Sequence, residues 1–256
     1  MTEENSKMMI NKLLSDADWH LPGSESSVNV KSEVQNSAGF ADYNENRMSP
    51  FDAFALEELL SSFQKNDLTC LEIGSWFGAG STQIIGKFSK ELVCVDHWQG
   101  NESEEHRAIV STIDVFQRFV ANTTKFEGRV KPIKGSSQDV CPILERRKYD
   151  FIFIDGDHRY SSTVQDIKST LPLLKPGGIL AGHDCEGRIS PETLKFINES
   201  KHIDHVDSIY PNFIHCHPGV IQAVNELIEQ PNLYAEKRLE LDNGMSGFST
   251  IWWTRV

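Results

Sequence analysis

The sequence predicts a doubly wound α/β fold: an open, mostly parallel sheet with helices on both faces and an antiparallel strand at the C-terminal end. Three observations carry that expectation. Short continuous apolar runs alternate with segments of helical period. Those runs leave no polar face, so each strand is buried on both sides, as parallel strands are. Glycines and acidic residues gather just after the runs, where a strand turns into the next helix.

The elements follow in order. Residues 1–49 are polar and uneven, too poor in apolar residues to build a core, and are expected to be an N-terminal extension, partly disordered or laid over the body. The organised domain, 50–256, opens at Ser49-Pro50. Phe51, Phe54, Leu56, Leu59 and Leu60 give a helical apolar face to about Phe63. Leu68–Ile73 is the first strand, Ser81–Phe88 a helix and Glu91–Asp96 the second strand. Ile109–Val120 is expected as one helix, with Ile113, Phe116 and Val120 on one side. Arg129–Lys134 and Tyr149–Asp155 are the third and fourth strands. Val164, Ile167, Leu171 and Leu174 recur at helical spacing, Lys175-Pro-Gly-Gly178 is a turn, and Ile179–Gly182 opens the fifth strand. Residues 185–218 read as an insertion. Gly219–Ile228 is a helix, and Gly247–Val256, with Ile251-Trp252-Trp253, is the closing strand.

Composition narrows the function. The chain has 256 residues, 39% hydrophobic and 24% charged, as soluble globular domains do. A formal net charge of −12 with no clustered Lys/Arg stripe argues against a nucleic-acid partner. Cys70, Cys94, Cys141, Cys185 and Cys216 are odd in number and lack C-x-x-C spacing, which fits a reducing compartment. Met1–Met8 carries no apolar signal core, and no run approaches a bilayer span. A cytoplasmic protein without a membrane partner is expected, with a homodimer through the N-terminal extension as a further expectation.

Parallel α/β sheets bind ligands outside the carboxyl ends of their strands, so the chemistry is sought after each strand. After the first comes Glu72-Ile-Gly-Ser-Trp-Phe-Gly-Ala-Gly-Ser-Thr82. Gly74 and Gly78 permit close approach of a ligand to the backbone. Ser81 and Thr82 are candidate caps for the next helix, and Glu72 repels a pyrophosphate but welcomes a charged amine. Asp96 ends the second strand, 22 residues after Gly74, where a carboxylate accepts hydrogen bonds from ribose hydroxyls. After the third strand, Gly135-Ser-Ser-Gln-Asp139 offers hydroxyls and an amide that can read an adenine edge. Asp155-Gly-Asp-His158 follows the fourth strand and His183-Asp184 the fifth. Asp155 and Asp184 come from adjacent strand ends and could share one cation.

From Phe51 to the C-terminus the chain resembles class I S-adenosylmethionine-dependent methyltransferases. The branch it is most similar to is bacterial, with Asp-Gly-Asp-His and Gly-His-Asp motifs. The resemblance lies in Leu71-Glu-Ile-Gly74, Ile154-Asp-Gly-Asp-His158, Lys175-Pro-Gly-Gly178, Ala181-Gly-His-Asp184 and Gly219-Val-Ile-Gln-Ala-Val-Asn-Glu226, in that order and spacing. Gly135-Ser-Ser-Gln-Asp-Val140 is also similar to the adenine loop of catechol-type O-methyltransferases. The resemblance implies a Rossmann-like sheet and adenosylmethionine as donor. Glu72 and Gly74 would border its methionine part, Asp96 would hold its ribose, and Ser137 with Gln138 would flank its adenine, with Ser75, Gly78 and Ser81 also among the donor-binding residues. Asp155 would lie beside donor and acceptor. By likeness to metal-dependent sugar and catechol O-methyltransferases, Asp155, His183 and Asp184 would hold a divalent cation, magnesium or another, and His158 would be the general base. His183 departs from the pattern, since those enzymes carry Asp, Glu or Asn there. The implied acceptor is a small hydroxylated molecule, a sugar, polyol or phenol, with 185–218 as a cap over it.

Two other readings are weighed. Gly74-x-x-x-Gly78-x-Gly80 matches a spacing of nicotinamide-dependent short-chain oxidoreductases, but no tyrosine has a lysine four residues on, and Tyr160 and Tyr234 both fail. A non-catalytic adenosylmethionine-binding protein would not call for Asp155, His158 and Asp184 together. His202, His205, His215 and His217 read as cap or surface histidines rather than a metal cluster.

Overall fold

The computed structural model describes residues 48–256, so the expectations for residues 1–47 fall outside the described residues. Helix α1 (Pro50–Ser61) starts with a capping box, Ser49 and Asp52 each accepting from the other's backbone amide. Five parallel strands follow: β1 (Leu68–Ile73), β2 (Ser89–Asp96), β3 (Val130–Lys134), β4 (Tyr149–Ile154) and β5 (Leu174–Gly182). They alternate with α2 (Ser81–Phe88), α3 (Glu104–Thr112), α4 (Val115–Thr123), α5 (Ser137–Val140) and α6 (Tyr160–Thr170). After β5 come α7 (Leu194–Ser200), a hairpin of β6 (Val206–Asp207) and β7 (His215–Cys216), and α8 (Pro218–Leu227). The chain ends with β8 (Asn232–Leu233), a hairpin of β9 (Leu239–Glu240) and β10 (Ser246–Gly247), and β11 (Trp252–Arg255).

The main sheet runs β3-β2-β1-β4-β5-β11-β8. Its first five strands pair parallel, and β11 pairs antiparallel with β5 and β8. Strand order reverses between β1 and β4, which opens a crevice at their carboxyl ends. Both faces are covered because the strand residues alternate between two cores. Leu71, Ile73, Ile152 and Ile154 point into one core with Ile167 of α6 and Val220, Ile221 and Val224 of α8. Cys70, Phe151 and Phe153 point into the other with Leu56, Leu59 and Leu60 of α1 and Ile84 and Ile85 of α2. All five cysteines are buried free thiols. No helix among the described residues is long and apolar enough to cross a membrane.

Three expected elements differ. The single helix over 109–120 is two, because Ile113 is extended and the Asp114 carboxylate accepts from Gln117 N to start a new helix. Apolar period alone runs through such a break. The turn at Lys175–Gly178 lies within β5, where Gly177 takes φ +81° and accepts Arg255 on its carbonyl. The closing strand is shorter than Gly247–Val256, since Ser246 and Gly247 pair with Glu240 and Leu239 instead.

Candidate functional site

Strand β1 delivers Glu72, which is completely buried. Its carboxylate accepts Ser81 Oγ at 2.5 Å and Thr82 Oγ1 at 2.6 Å, with Cys94 Sγ at 3.3 Å. The two hydroxyls thus serve Glu72 and not the helix start, whose N-cap is Gly80 without a side-chain bond. Burial pushes the Glu72 carboxyl up to about 7, against the pull of those donors. A raised carboxyl favours the protonated folded state. The stability this group contributes is therefore full below about pH 4.5 and falls as pH rises through about 7. Denaturant unfolding across that window is expected to show the decline in the parent protein and a flatter profile in Glu72→Gln.

The loop after β1 is built around Gly74, at φ +83°. A Cβ there would lie 2.0 Å from the Asp155 carbonyl oxygen, so this glycine's freedom serves the contact between the tips of β1 and β4. At Gly78 a Cβ would meet the Phe119 ring at 2.8 Å. The close approach made at both positions is to protein. Gly74→Ala combines a left-handed backbone with a backbone clash, and is expected to cost more than about 1 kcal/mol in chemical denaturation.

Asp96 ends β2. Its two oxygens accept Trp76 N at 2.8 Å and Trp98 N at 2.6 Å, and Trp98 Nε1 donates to Trp76 O at 2.8 Å. The tryptophans sit at φ 44° and 54°, an uncommon conformation held by this bridge. Trp76 stacks on His106 with ring centroids 4.8 Å apart, while its buried Nε1 has no hydrogen-bond partner among the described residues. Each carboxylate oxygen has a second acceptor site, so Asp96 retains capacity for hydroxyl donors. Ser75, in the same loop, is buried. Beyond β3, Ser137 Oγ donates to the buried Asp166 at 2.5 Å, and burial raises the Asp166 carboxyl to about 6. Gln138 is exposed.

The tips of β4 and β5 carry an acid-and-imidazole cluster. His158 Nδ1 lies 2.9 Å from Asp204 Oδ1, and its Nε2 lies 3.1 Å from Asp184 Oδ2 and 4.0 Å from Asp155 Oδ1. His183 Nδ1 lies 3.1 Å from Asp184 Oδ1 and 3.5 Å from Asp155 Oδ1, with its Nε2 3.3 Å from Asp52 Oδ2. Burial pulls both imidazoles down, but the facing carboxylates outweigh it and hold them well above the usual histidine range. Burial likewise opposes the charge on Asp52, and His183 with the cap hydrogen bonds brings its carboxyl down to about 2. Asp184 adopts a left-handed backbone, φ 63°, that turns it into the cluster. Asp157 faces elsewhere, bonded to Arg159 and Ser162.

The structure therefore brings Asp155, His158, His183 and Asp184 together, and places Glu72 and Asp96 at the tips of β1 and β2 in the same sheet edge. Sequence reasoning missed Asp52, Glu186 and Asp204, and read His217 as a cap or surface histidine. The Ser-Pro-Phe-Asp52 pattern signals a helix cap, yet Asp52 also accepts Thr250 N at 2.9 Å and faces His183. The other three come from 185–218, whose irregular path no periodicity encodes. Of the histidines in that stretch, His217 enters the cluster at 3.6 Å from Asp184, His205 touches its rim through Asp204, and His215 stays exposed.

Residues 71–185 match a family model described as a methyltransferase domain. An uncharacterized protein, R132, of Acanthamoeba polyphaga mimivirus is 31% identical over 153 residues, covering 56% of this chain and 64% of that protein. The chain thus spans less than two thirds of the length of that curated relative. Among solved structures, an O-methyltransferase from Bacillus cereus in complex with SAH aligns over 97% of each chain, with 20% identity and a TM-score of 0.52. TomG of Streptomyces achromogenes, an O-methyltransferase of tomaymycin synthesis in complex with SAM, aligns over 100% of this chain and 99% of its own. Its identity is 15% and its TM-score 0.52. The fold is that of the class I methyltransferases, and the stretch from Leu71 to Cys185, which carries Glu72, Asp96, Asp155, His158, His183 and Asp184, matches a methyltransferase domain.

Proposed function

We propose that the protein transfers a methyl group from adenosylmethionine to a hydroxyl of a small acceptor, a sugar, polyol or phenol. One observation carries the reading: His158 sits at the tip of β4 between Asp204, Asp184 and Asp155, in the strand next to the Glu72–Asp96 edge. The residues present fit the donor. Asp96 retains acceptor capacity at the tip of β2, and the buried Trp76 Nε1, without a hydrogen-bond partner among the described residues, lies in the loop beside it. Bound donor supplies an electrophilic methyl group on a sulfonium.

The chain's own tasks are to orient the acceptor and to take its proton. Asp204 fixes His158 through Nδ1, which turns Nε2 toward Asp155 and Asp184. An acceptor hydroxyl entering beside Nε2 separates it from Asp184 and weakens the attraction that keeps the ring protonated. The ring gives its Nε2 proton to solvent, and the neutral Nε2 then takes the hydroxyl proton as the oxygen attacks and displaces the methyl carbon from sulfur. Asp155, His183 and Asp184 are the residues that would hold a divalent cation, which supplies polarisation of the acceptor oxygen. Two oxygens and an imidazole nitrogen suit a borderline ion better than magnesium. Glu72 acts by holding Ser81 and Thr82, and so the loop that borders the donor. The carboxylate-rich cluster disfavours phosphorylated acceptors.

The test is calorimetry with adenosylmethionine and adenosylhomocysteine, followed by an adenosylhomocysteine-release screen over hydroxylated acceptors. Binding of both, and release that depends on a hydroxyl, is the expected result. Absence of heat with either compound contradicts the reading.

A further inference from the structure

Asp184 is shared between two groups of side chains. One is Asp155, His183 and Asp184; the other is His158, Asp184 and His217, whose ligand atoms all lie within 4.8 Å of one another. We propose that His158, Asp184 and His217 form a site for a nitrogen-accepting divalent ion, zinc or a first-row neighbour, and that this ion switches methyl transfer off by occupying His158.

The donor chemistry comes first. Two imidazoles and one carboxylate are the set that borderline ions accept, with a position left for water. Magnesium, which wants oxygen, is poorly served.

The outer contacts point the same way. Metal-ligating histidines characteristically give their second ring nitrogen to a carboxylate, which fixes the ring and its tautomer. His158 Nδ1 lies 2.9 Å from Asp204 Oδ1, and Nε2 faces Asp184 at 3.1 Å. His217 Nδ1 lies 2.7 Å from Oε1 of the buried Glu186, whose Oε2 accepts the His217 main-chain amide at 3.1 Å. His158 is thus braced at Nδ1 with Nε2 on Asp184, whereas the His217 Nδ1 that meets Glu186 also lies 3.6 Å from Asp184 Oδ1; Glu186 has both oxygens committed to His217 and anchors that ring beside Asp184.

The backbone sets their spacing. His217 precedes α8, and a Cβ on Gly219 would lie 2.3 Å from the His158 carbonyl oxygen. The start of α8 is thus pressed onto the chain at His158, and the two rings stand 4.7 Å apart between centroids. Charge completes the case. Asp52, Asp155, Asp184, Glu186 and Asp204 pair with imidazoles rather than with Lys or Arg. These five carboxylates outnumber the three imidazoles they face, and a divalent cation offsets the excess.

The binding claim stands without the methyl-transfer reading, whereas the inhibition rests on it. The test is a cobalt chloride titration of the full chain, followed by visible absorption, with zinc chloride calorimetry in parallel and no donor present. One ion per chain is expected, with the ligand-field bands of a nitrogen-and-oxygen site. Glu186→Gln should weaken binding about 10- to 100-fold, and His217→Ala at least as much. Asp155→Asn, at 4.0 Å from His158 Nε2 but not one of the three ligands, should leave it within about 2-fold. A circular-dichroism melt of each variant confirms the fold. Binding that survives both His217→Ala and Glu186→Gln, or that is lost in Asp155→Asn, overturns the site, as does no binding at all. In the turnover assay, stoichiometric zinc should stop adenosylhomocysteine release and a chelator restore it, while His217→Ala remains active in zinc. Zinc bound through His217 without inhibition would remove His158 from the proton-accepting role and leave the ion site standing. Failure of donor binding would defeat the methyl-transfer reading alone.

Discussion

His158→Ala is expected to lower adenosylhomocysteine release by about 10²- to 10⁴-fold, the range over which a positioned base contributes, while the Kd for the donor changes by less than about 2-fold. The size follows from the placement of the ring. Asp204 holds one nitrogen at 2.9 Å, and the other points at the Asp155–Asp184 edge. His183 differs in being spanned between Asp52 and the Asp155–Asp184 pair, and His217 in being held at Nδ1 by Glu186. Single-turnover kinetics with the donor in excess separate the two quantities. Unchanged turnover would take His158 out of the proton path; a large rise in donor Kd would place it in the donor pocket instead.

Asp96→Ala is expected to act in the opposite manner, raising the donor Kd by about 10²- to 10⁴-fold with a smaller effect on the chemical step. Hydrogen bonds to a charged acceptor are worth about 1.5–3 kcal/mol each, and two ribose hydroxyls are the groups such a carboxylate receives. Asp96 also carries a second load. Removing it frees the Trp76 and Trp98 amides, both held in left-handed conformations, so the loop after β1 loses its anchor. Asp96→Asn keeps one acceptor oxygen and is expected to fall between the parent and Asp96→Ala. Calorimetry with adenosylhomocysteine reads all three. Equal affinity across them would show that the ribose is not held here.

Much of this was legible in the sequence, for physical reasons that differ by element. A strand buried on both faces must be apolar throughout, so β1 and β4 stand out as runs, and the residues just beyond them mark the ligand edge. That is why Asp96, Asp155 and His183-Asp184 could be placed from strand ends alone. Side-chain direction was less legible. Glu72 reads as a ligand for a charged amine, yet its oxygens are taken by Ser81 and Thr82. Gly74 reads as a cradle for a ligand, yet the Asp155 backbone fills the space. In both cases a residue type states what a group can bond to and not which protein neighbour reaches it.

Long-range partners were out of reach. Asp52 lies far from His183 in the chain and meets it only because α1 packs on a face of the sheet with its start near the tip of β5. Asp204 and His217 reach His158 through an irregular segment with a short hairpin and one helix. The match to a methyltransferase domain also stops at residue 185, before either of them. The part of the cluster contributed by α1 and by 185–218 thus lies outside the matched stretch.

The most direct measurement is a crystal structure of the full chain with adenosylhomocysteine bound. The expected result puts the ribose hydroxyls on Asp96 and the sulfur facing the side of His158 that carries Nε2. A nucleoside seated away from the tips of β1 and β2, or a sulfur turned from His158, would contradict it.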